Sequence, residues 1–311
     1  MQHFADRLIQ QIKSKKSSVC VGLDPRLSHI PKFIQESALA CHKDPFKAAS
    51  KALVDFNKGI IDAVYDLVPV VKLQIAFYEI FGPHGMEAFL QTIAYAKEKG
   101  LIVIADAKRS DIDSTAKAYA QAFLGEFEVF GEKLKMYDVD AMTVNPYLGY
   151  DSIKPFIEVC KCYGKGIFVL VKTSNFSSAD IQDLYNQTGQ TNYEIVARLL
   201  ESWGADEIGE CGYSCVGAVV GATFPKDALR LRSIMPNTIF LVPGYGAQGA
   251  TVQDVKVCFH EDGLGAIVNS SRNIIFAYQD SSRFSEKDYA LASRQAVIEM
   301  NSFFRGSTFR S

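Results

Sequence analysis

The chain has 311 residues, 48% of them hydrophobic and 22% charged, and a formal net charge of −2 at pH 7. A charge this close to zero gives no reason to expect nucleic acid or an anionic membrane as a partner, and no apolar run approaches the roughly 20 residues of a membrane span. Seven cysteines without the spacing of a zinc site favour reduced thiols in a cytoplasmic protein. We expect one globular domain over residues 1–311.

The first predicted element is an amphipathic helix over residues 1–16, packed on the rest of the domain. Its apolar side chains, Phe4, Leu8, Ile9 and Ile12, share one helical face, and the segment lacks the apolar core of a signal peptide. Eight short apolar runs follow, with segments of helical periodicity between them. The predicted strands are residues 18–23, 68–73, 101–105, 141–144, 166–171, 216–220, 238–242 and 265–268.

The alternation of these runs with helical segments predicts the fold class. Continuous rather than alternating hydrophobicity indicates parallel strands that are buried on both faces. Eight such strands, alternating with helices within about 250 residues, favour an α/β protein with a (β/α)8 TIM barrel as its single domain. A doubly wound open sheet is the alternative.

Polar or turn-forming residues follow every predicted strand, at the end where (β/α)8 barrels build their active sites. We therefore expect the functional site at the carboxyl ends of the strands. In chain order these residues are Asp24, Lys72, Asp106, Asn145, Lys172 to Ser174, Gly221, the turn at 243–246 and the segment 269–272.

The third strand is followed by an Asp-x-Lys-x-x-Asp motif, formed by Asp106, Lys108 and Asp111. Residues two apart on a strand share a face, and opposite charges keep each other ionised in a partly desolvated site. Lys72 stands in an apolar context, where an ammonium group needs a carboxylate partner. Asp106 on the neighbouring strand offers one, and Asp24, at the end of the first strand, is close enough to join them. A lysine held protonated in such a network is a general acid.

A plainer interpretation of this motif is a strand end followed by a helix cap. Ser110 or Asp111 would cap the helix, and Lys108 would form a surface ion pair.

The loops after the seventh and eighth strands predict a phosphate site. The segment 243–249 contains three glycines that let backbone N–H groups approach an anion, and Arg272 in the segment 269–274 offers a bidentate contact. Barrels often bind phosphate at these two loops. Two tight turns with a solvated arginine are the alternative.

Together these motifs resemble the orotidine 5'-phosphate decarboxylase family, in particular its longer bacterial-type branch. The resemblance extends from residue 21 to about residue 278, and several motifs in one order are more specific than any one of them. The segments that carry it are 21–25, 72–79, 106–115, 143–149, 171–175, 243–249 and 271–272.

The resemblance implies decarboxylation of orotidine 5'-monophosphate to UMP, the last step of pyrimidine synthesis, without a metal ion or an organic cofactor. It implies that Lys108 stabilises and then protonates the carbanion at C6. It places Asp106 against the substrate carboxylate and gives Lys72 the positioning of Asp106 and of the ribose. It also implies a homodimer with shared active sites, in which Asp111, Ile112 and Thr115 reach the partner's site.

The remaining substrate contacts are also implied by the resemblance alone. Asp24 matches the ribose-binding aspartate, and Ser174 matches the residue that contacts the pyrimidine ring. Gln248 and Arg272 match the phosphate-binding pair, and Asn145 and Ser271 lie in matching segments as further substrate-binding residues. Ser110 stands where many relatives have Gly, a difference that leaves the charged positions intact. Phe176-Ser177 stands where they have Pro-Gly, a difference that concerns the conformation of the 176–192 loop and not the reaction.

Three other functions compete with this one. A hexulose-phosphate synthase or keto-gulonate-phosphate decarboxylase shares Asp-x-Lys-x-x-Asp but uses Mg²⁺, which the ammonium of Lys72 would repel. A Schiff-base aldolase uses a desolvated lysine as nucleophile, whereas flanking carboxylates keep Lys108 protonated. A catalytically silent phosphate-binding barrel is disfavoured by the intact charged motif.

Overall fold

The computed structural model describes residues 1–246, 249–280 and 282–308, with side chains up to residue 304. Eight parallel strands close into a barrel, in the order β1-β10-β9-β8-β7-β6-β3-β2 around its circumference. The strands of the described residues are β1 (Val19–Leu23), β2 (Val70–Gln74), β3 (Ile102–Arg109), β4 (Phe127–Val129), β5 (Glu132–Leu134), β6 (Ala141–Val144), β7 (Gly166–Lys172), β8 (Val216–Val220), β9 (Phe240–Val242) and β10 (Ala266–Ser270).

The predicted (β/α)8 barrel is confirmed. Strand β1 pairs in parallel with both β2 and β10, which closes the sheet and excludes the open doubly wound alternative. The barrel strands are buried almost throughout, as their continuous hydrophobicity predicted. The single domain over 1–311 remains a prediction.

Helices surround the barrel, and none among the described residues is long and apolar enough to cross a membrane. Pro45 starts the long helix α3, where the Asp44 carboxylate accepts the N–H groups of Phe46 and Lys47. The helices are α1 (Phe4–Lys15), α2 (Lys32–Cys41), α3 (Pro45–Val64), α4 (Ala76–Glu79), α5 (Gly82–Glu98), α6 (Asp113–Leu124), α7 (Tyr150–Tyr163), α8 (Ala179–Gln182), α9 (Asn192–Trp203), α10 (Pro225–Ile234), α11 (Val252–Lys256), α12 (Arg272–Ile275) and α13 (Tyr289–Thr308), with 3₁₀ turns at Leu27–His29, Phe176–Ser178 and Glu286–Asp288.

Helix α1 packs across the amino-terminal end of the barrel. The ring of Phe4 meets Phe168 of β7 edge to face, with 6.1 Å between the ring centroids, and Arg7 forms an ion pair with Asp140 at 2.7 Å. A Cβ at Gly166 would lie 2.2 Å from the Phe4 ring, so a residue without a side chain is needed where the helix crosses β7. The opposite end of the barrel is left open.

Strand β3 carries an irregularity where its charged residues begin. Ala105 pairs with Met142 of β6, but the next pair is Arg109 with Val144. Three residues of β3 therefore face the single residue Thr143, which makes a bulge. Lys108 within it has a φ of 47°, a left-handed conformation that is uncommon for a residue other than glycine.

Two local features of the structure were not predicted correctly from the sequence. Helix α6 begins at Asp113, and its N-cap Ile112 provides no side-chain cap, so the alternative in which Ser110 or Asp111 caps the helix is wrong. The antiparallel hairpin of β4 and β5 was not predicted, because its short strands are largely exposed and carry no apolar run.

Candidate active site

A cavity of about 460 Å³ opens at the carboxyl ends of the barrel strands. Every barrel strand, or the loop that follows it, contributes to its wall. Charged groups cluster on the β1–β3 side, and backbone turns and a second set of polar groups lie on the β9–β10 side. The lining residues are Asp24, Arg26, Lys72, Gln74, Phe77, Asp106, Lys108, Thr143, Leu170, Thr173, Ser174, Asn175, Val219, Leu241, Pro243, Gly244, Tyr245, Asn269, Ser270, Ser271 and Arg272.

Asp106 is the centre of a buried network of charges. Its Oδ2 accepts a hydrogen bond from Lys72 Nζ at 2.8 Å, and its Oδ1 accepts one from Lys108 Nζ at 2.5 Å. The hydroxyl of Thr143 also donates to Oδ1, at 2.9 Å. Both carboxylate oxygens are therefore held, and Asp106 has little freedom to rotate.

The lysines of this network differ in exposure. Lys72 is buried, whereas the side chain of Lys108 is 44% exposed and faces the cavity. Lys108 therefore combines an ion pair to Asp106 with access to a bound molecule. This arrangement suits a group that must donate a proton to a ligand.

The network fixes the charge states of its buried members. Burial alone would raise the pKa of Asp106, but the charges of Lys72 and Lys108 and their hydrogen bonds hold it well below the ordinary value. Burial alone would lower the pKa of Lys72, but Asp106 and Asp24 hold it above the ordinary value. Asp106 is thus an anion and Lys72 a cation at neutral pH.

Asp24 joins the rim of this network from the end of β1. Its Oδ1 lies 3.8 Å from Lys72 Nζ, and this buried oxygen accepts no hydrogen bond from the part of the chain that the structure describes. Since a buried carboxylate oxygen is costly without a donor, Asp24 is suited to accept a hydrogen bond from a ligand hydroxyl.

The β9 and β10 loops form the opposite wall, as predicted for a phosphate site. Pro243, Gly244, Ser271 and Arg272 line the cavity there. A Cβ at Gly22 would lie 1.8 Å from Ser271 Oγ, so β1 needs glycine at this position to admit the β10 loop. Gln248, predicted to bind phosphate with Arg272, lies outside the described residues.

The β7 loop brings Ser174 to the cavity through contacts behind it. Buried Lys172 is ion-paired with Asp183, and Gln182 Oε1 accepts the backbone N–H of Thr173 at 2.9 Å. A Cβ at Gly221 of the β8 loop would lie 2.9 Å from the Ser174 backbone. Lys172, although it follows the same strand, points away from the cavity lining and serves to anchor this loop.

Four predicted site residues do not line the cavity of their own chain. Asp111 is half-buried, and Ile112, which is 44% exposed, and Thr115 are exposed at the surface of the chain. Asn145 lines a neighbouring groove instead, where its side chain accepts the N–H of Tyr147 at 3.0 Å.

Other residues that line the cavity were not predicted from the sequence, among them Arg26, Gln74, Phe77 and Thr143. Gln74 stands two residues after Lys72, so the two-residue period of a strand could have found it. Arg26 lies over the ring of Phe77, 5.5 Å from its centroid, a contact between the β1 loop and helix α4 that no local pattern indicates.

Comparisons with known proteins agree with this geometry. The model of the Orotidine 5'-phosphate decarboxylase / HUMPS family matches residues 17–285. The orotidine 5'-phosphate decarboxylase of Caldicellulosiruptor bescii is 46% identical over 303 residues, which cover 97% of this chain and 99% of that protein. That of Rhodopirellula baltica is 46% identical over 309 residues, or 98% of this chain and all of that protein.

A solved structure extends the agreement to the fold. The OMP decarboxylase of Leishmania donovani superposes with a TM-score of 0.73 at 30% sequence identity, over 97% of this chain and 99% of that one. The family match covers most of the chain, and the relatives span nearly its full length. The chain therefore belongs to the orotidine 5'-phosphate decarboxylase / HUMPS family, and within it resembles the bacterial type.

Proposed function

We propose that this protein removes the C6 carboxylate of orotidine 5'-monophosphate to give UMP and CO₂, the last step of de novo pyrimidine biosynthesis. The observation that carries the proposal is the Lys72–Asp106–Lys108 network, with Lys108 facing a cavity that has a predicted phosphate site on its far wall. Relatives that bear the name of this enzyme, at 46% identity over nearly the whole chain, support it.

Asp106 supplies a repulsion that the reaction relieves. A substrate carboxylate placed about 4 Å from Asp106 would be repelled by roughly 4 kcal/mol at an effective dielectric constant near 20. Because Asp106 is held by three donors, it does not swing away from the incoming carboxylate. Departure of CO₂ removes the repulsion. The attraction between Lys108 and the developing carbanion stabilises the transition state more than this relief does.

Lys108 stabilises the charge that CO₂ leaves behind and then neutralises it. The C6–carboxylate bond breaks with its electron pair remaining on C6, and the ammonium of Lys108 attracts this developing carbanion. An N–H bond of Lys108 then breaks as the new C6–H bond forms, and solvent returns a proton to the amine. General acid catalysis of this kind contributes roughly 10²- to 10⁴-fold to a rate.

The other groups hold the substrate in place. Asp24 and Lys72 bind the ribose, Ser174 contacts the pyrimidine ring, and Ser271 and Arg272, with Gln248, bind the phosphate. Asn145 is a further substrate-binding residue in this proposal, and it would reach the substrate from the neighbouring groove. Binding energy from the distant phosphate can then drive loop closure and orient C6 against Lys108.

The proposed active unit is a cytoplasmic homodimer with shared sites. Asp111, Ile112 and Thr115 lie outside the cavity of their own chain, and a two-fold partner would bring the equivalent residues to it. Asp111 of the partner would add a second carboxylate beside Lys108.

The chemistry requires neither a metal ion nor an organic cofactor in this proposal. Family members of the HUMPS type that act on sugar phosphates would need a metal-binding group at the end of β2. The buried ammonium of Lys72 occupies that place, 2.8 Å from Asp106, and would repel Mg²⁺.

Ultraviolet absorbance of orotidine 5'-monophosphate, mixed with the purified protein with and without EDTA, tests the proposal. We expect loss of the orotate chromophore at the same rate in both samples, and no loss with the Lys108→Ala variant as control. Turnover that EDTA abolishes would contradict the metal-free mechanism. An unchanged chromophore, with turnover of a sugar phosphate in the presence of Mg²⁺, would contradict the substrate.

A further inference from the structure

Thr143 occupies a special place in the network around Asp106. It is 1% exposed, lies on β6 and lines the cavity. Its hydroxyl donates to Asp106 Oδ1 at 2.9 Å and accepts the backbone N–H of Lys108, also at 2.9 Å. A single hydroxyl therefore connects the side chain of one charged residue to the backbone of the other.

We propose that Thr143 is a positioning residue for the decarboxylation, which holds the carboxylate of Asp106 and the backbone of Lys108 in one fixed relation. This inference rests on the proposed function, and it gives Thr143 no direct contact with the reacting atoms. We call Thr143, Asp106 and Lys108 the hydroxyl clamp.

The backbone around Lys108 shows why such a clamp is needed. The bulge in β3 leaves Lys108 opposite Thr143 without a regular ladder partner, and its φ of 47° is unfavourable for a lysine. The Thr143 hydroxyl takes the place of the missing backbone acceptor. This bond stabilises the turn that aims the Lys108 side chain into the cavity.

The same hydroxyl matters when the proton moves. Lys108 Nζ and Thr143 Oγ1 both donate to Oδ1 of Asp106. Once Lys108 has given its proton to C6, it is neutral and its attraction to Asp106 weakens. The Thr143 bond does not depend on that charge, so it keeps the carboxylate oriented through the step.

Alternative roles for Thr143 predict different behaviour. A threonine that only fills space would be replaced without loss by valine, which has nearly the same shape. A threonine that binds substrate would change the affinity for the product as well as the rate. The hydroxyl clamp instead predicts loss of turnover at nearly unchanged affinity, and recovery with any residue that restores the hydroxyl.

The test compares Thr143→Val with Thr143→Ser. A matched control is Thr238→Val, because the Thr238 hydroxyl is also buried and also donates to a carboxylate, Glu201 Oε2 at 2.8 Å, but lies at the other end of the barrel. For each variant we would measure kcat and KM for orotidine 5'-monophosphate, the affinity for UMP, and the exchange of the C6 hydrogen of UMP in D₂O by NMR.

We expect kcat of Thr143→Val to fall by about 10- to 100-fold, the loss given by one hydrogen bond to a charged group, and C6 exchange to slow to a similar degree. KM and UMP affinity should stay close to those of the parent protein. Thr143→Ser should restore most of the turnover, and Thr238→Val should keep all of it.

The outcomes separate this inference from the proposed function. An undiminished kcat in Thr143→Val, or an equal loss in Thr143→Ser, would overturn the clamp while the parent protein still turned over its substrate. A matching loss of UMP affinity would also overturn it, in favour of direct binding. A parent protein that leaves orotidine 5'-monophosphate unchanged would overturn the proposed function, and this inference with it.

Discussion

Replacement of Lys72 by Met tests whether burial makes the Lys72–Asp106 ion pair more important for stability than an exposed ion pair at the same distance. Lys72–Asp106 and Lys51–Asp55 have the same N–O distance of 2.8 Å, but the lysine side chains are 5% and 34% exposed, respectively. Methionine matches the length of lysine and removes its charge. Lys51→Met is therefore a matched control on the protein surface.

The expected losses of stability differ several-fold. Removal of one partner from a buried ion pair costs about 3–5 kcal/mol. Because Lys108 and Thr143 still hold Asp106 in the variant, we expect Lys72→Met to lose about 3 kcal/mol of unfolding free energy, the lower end of that range. The exposed pair at Lys51 should lose only about 0.3–0.5 kcal/mol.

The loss of unfolding free energy in Lys72→Met should also depend on pH, in a direction that follows from the ionisation of Asp106. Its folded pKa lies below the ordinary value, so its ionisation stabilises the fold above the unfolded pKa, and that stability is lost as the pH falls through the folded pKa. Without Lys72 the folded pKa rises. The difference in unfolding free energy between Lys72→Met and the parent protein is therefore largest at neutral pH, and it becomes smaller as acid protonates Asp106.

Urea unfolding at one protein concentration, near pH 7.5 and at about pH 3, below the ordinary pKa of an aspartate, measures both effects from midpoints and slopes. The deficit of Lys72→Met relative to the parent protein should be larger near pH 7.5. Equal midpoints for Lys72→Met and Lys51→Met at neutral pH would refute the argument from burial. A deficit that grows toward acid pH would refute the assignment to Asp106.

Three further predictions concern the reaction. Lys108→Ala should lower kcat by about 10³-fold or more with little change in melting temperature, because its side chain is 44% exposed; spectrophotometric turnover within tenfold of the parent protein would contradict its role. An equal mixture of inactive Lys108→Ala and Asp111→Ala proteins should recover roughly a quarter of the parent activity, since half the dimers are mixed and one of their two sites is complete. No recovery after subunit exchange, verified by mass spectrometry, would place Asp111 in its own chain's site. Arg272→Ala should lower kcat/KM for orotidine 5'-monophosphate by about 10- to 100-fold and leave that for orotidine, which lacks the phosphate, unchanged; an equal loss for both would exclude a phosphate contact.

The barrel could be predicted from the sequence because its signal is local. Each barrel strand is a short apolar run, and the length and composition of such a run are visible without any knowledge of its neighbours. Asp106 and Lys108 could be assigned to one site for the same reason, since they lie two apart at the end of a strand. The β4–β5 hairpin was missed because its exposed strands have no such run.

The geometry of the site depends on relations between strands that no local pattern contains. Lys72 pairs in register with Ile104, not with Asp106, and only the length of its side chain lets it reach the carboxylate. The bulge that turns Lys108 into the cavity exists because three residues of β3 lie opposite Thr143, and the sequence of either strand alone does not reveal it. In the sequence, Thr143 is only one more residue of a buried strand. Its contacts with Asp106 and Lys108 become visible only when β3 and β6 are paired.

The sequence of this protein thus determined which charged residues stand at the strand ends, because hydrophobic runs and their boundaries are properties of single segments. The tertiary structure decided which of those charges meet, since register, bulges and the packing of glycines such as Gly22 against Ser271 arise only when segments distant in the chain pair side by side. Asp111, between the end of β3 and the start of α6, does not line its own chain's cavity, and this too is visible only in the tertiary structure.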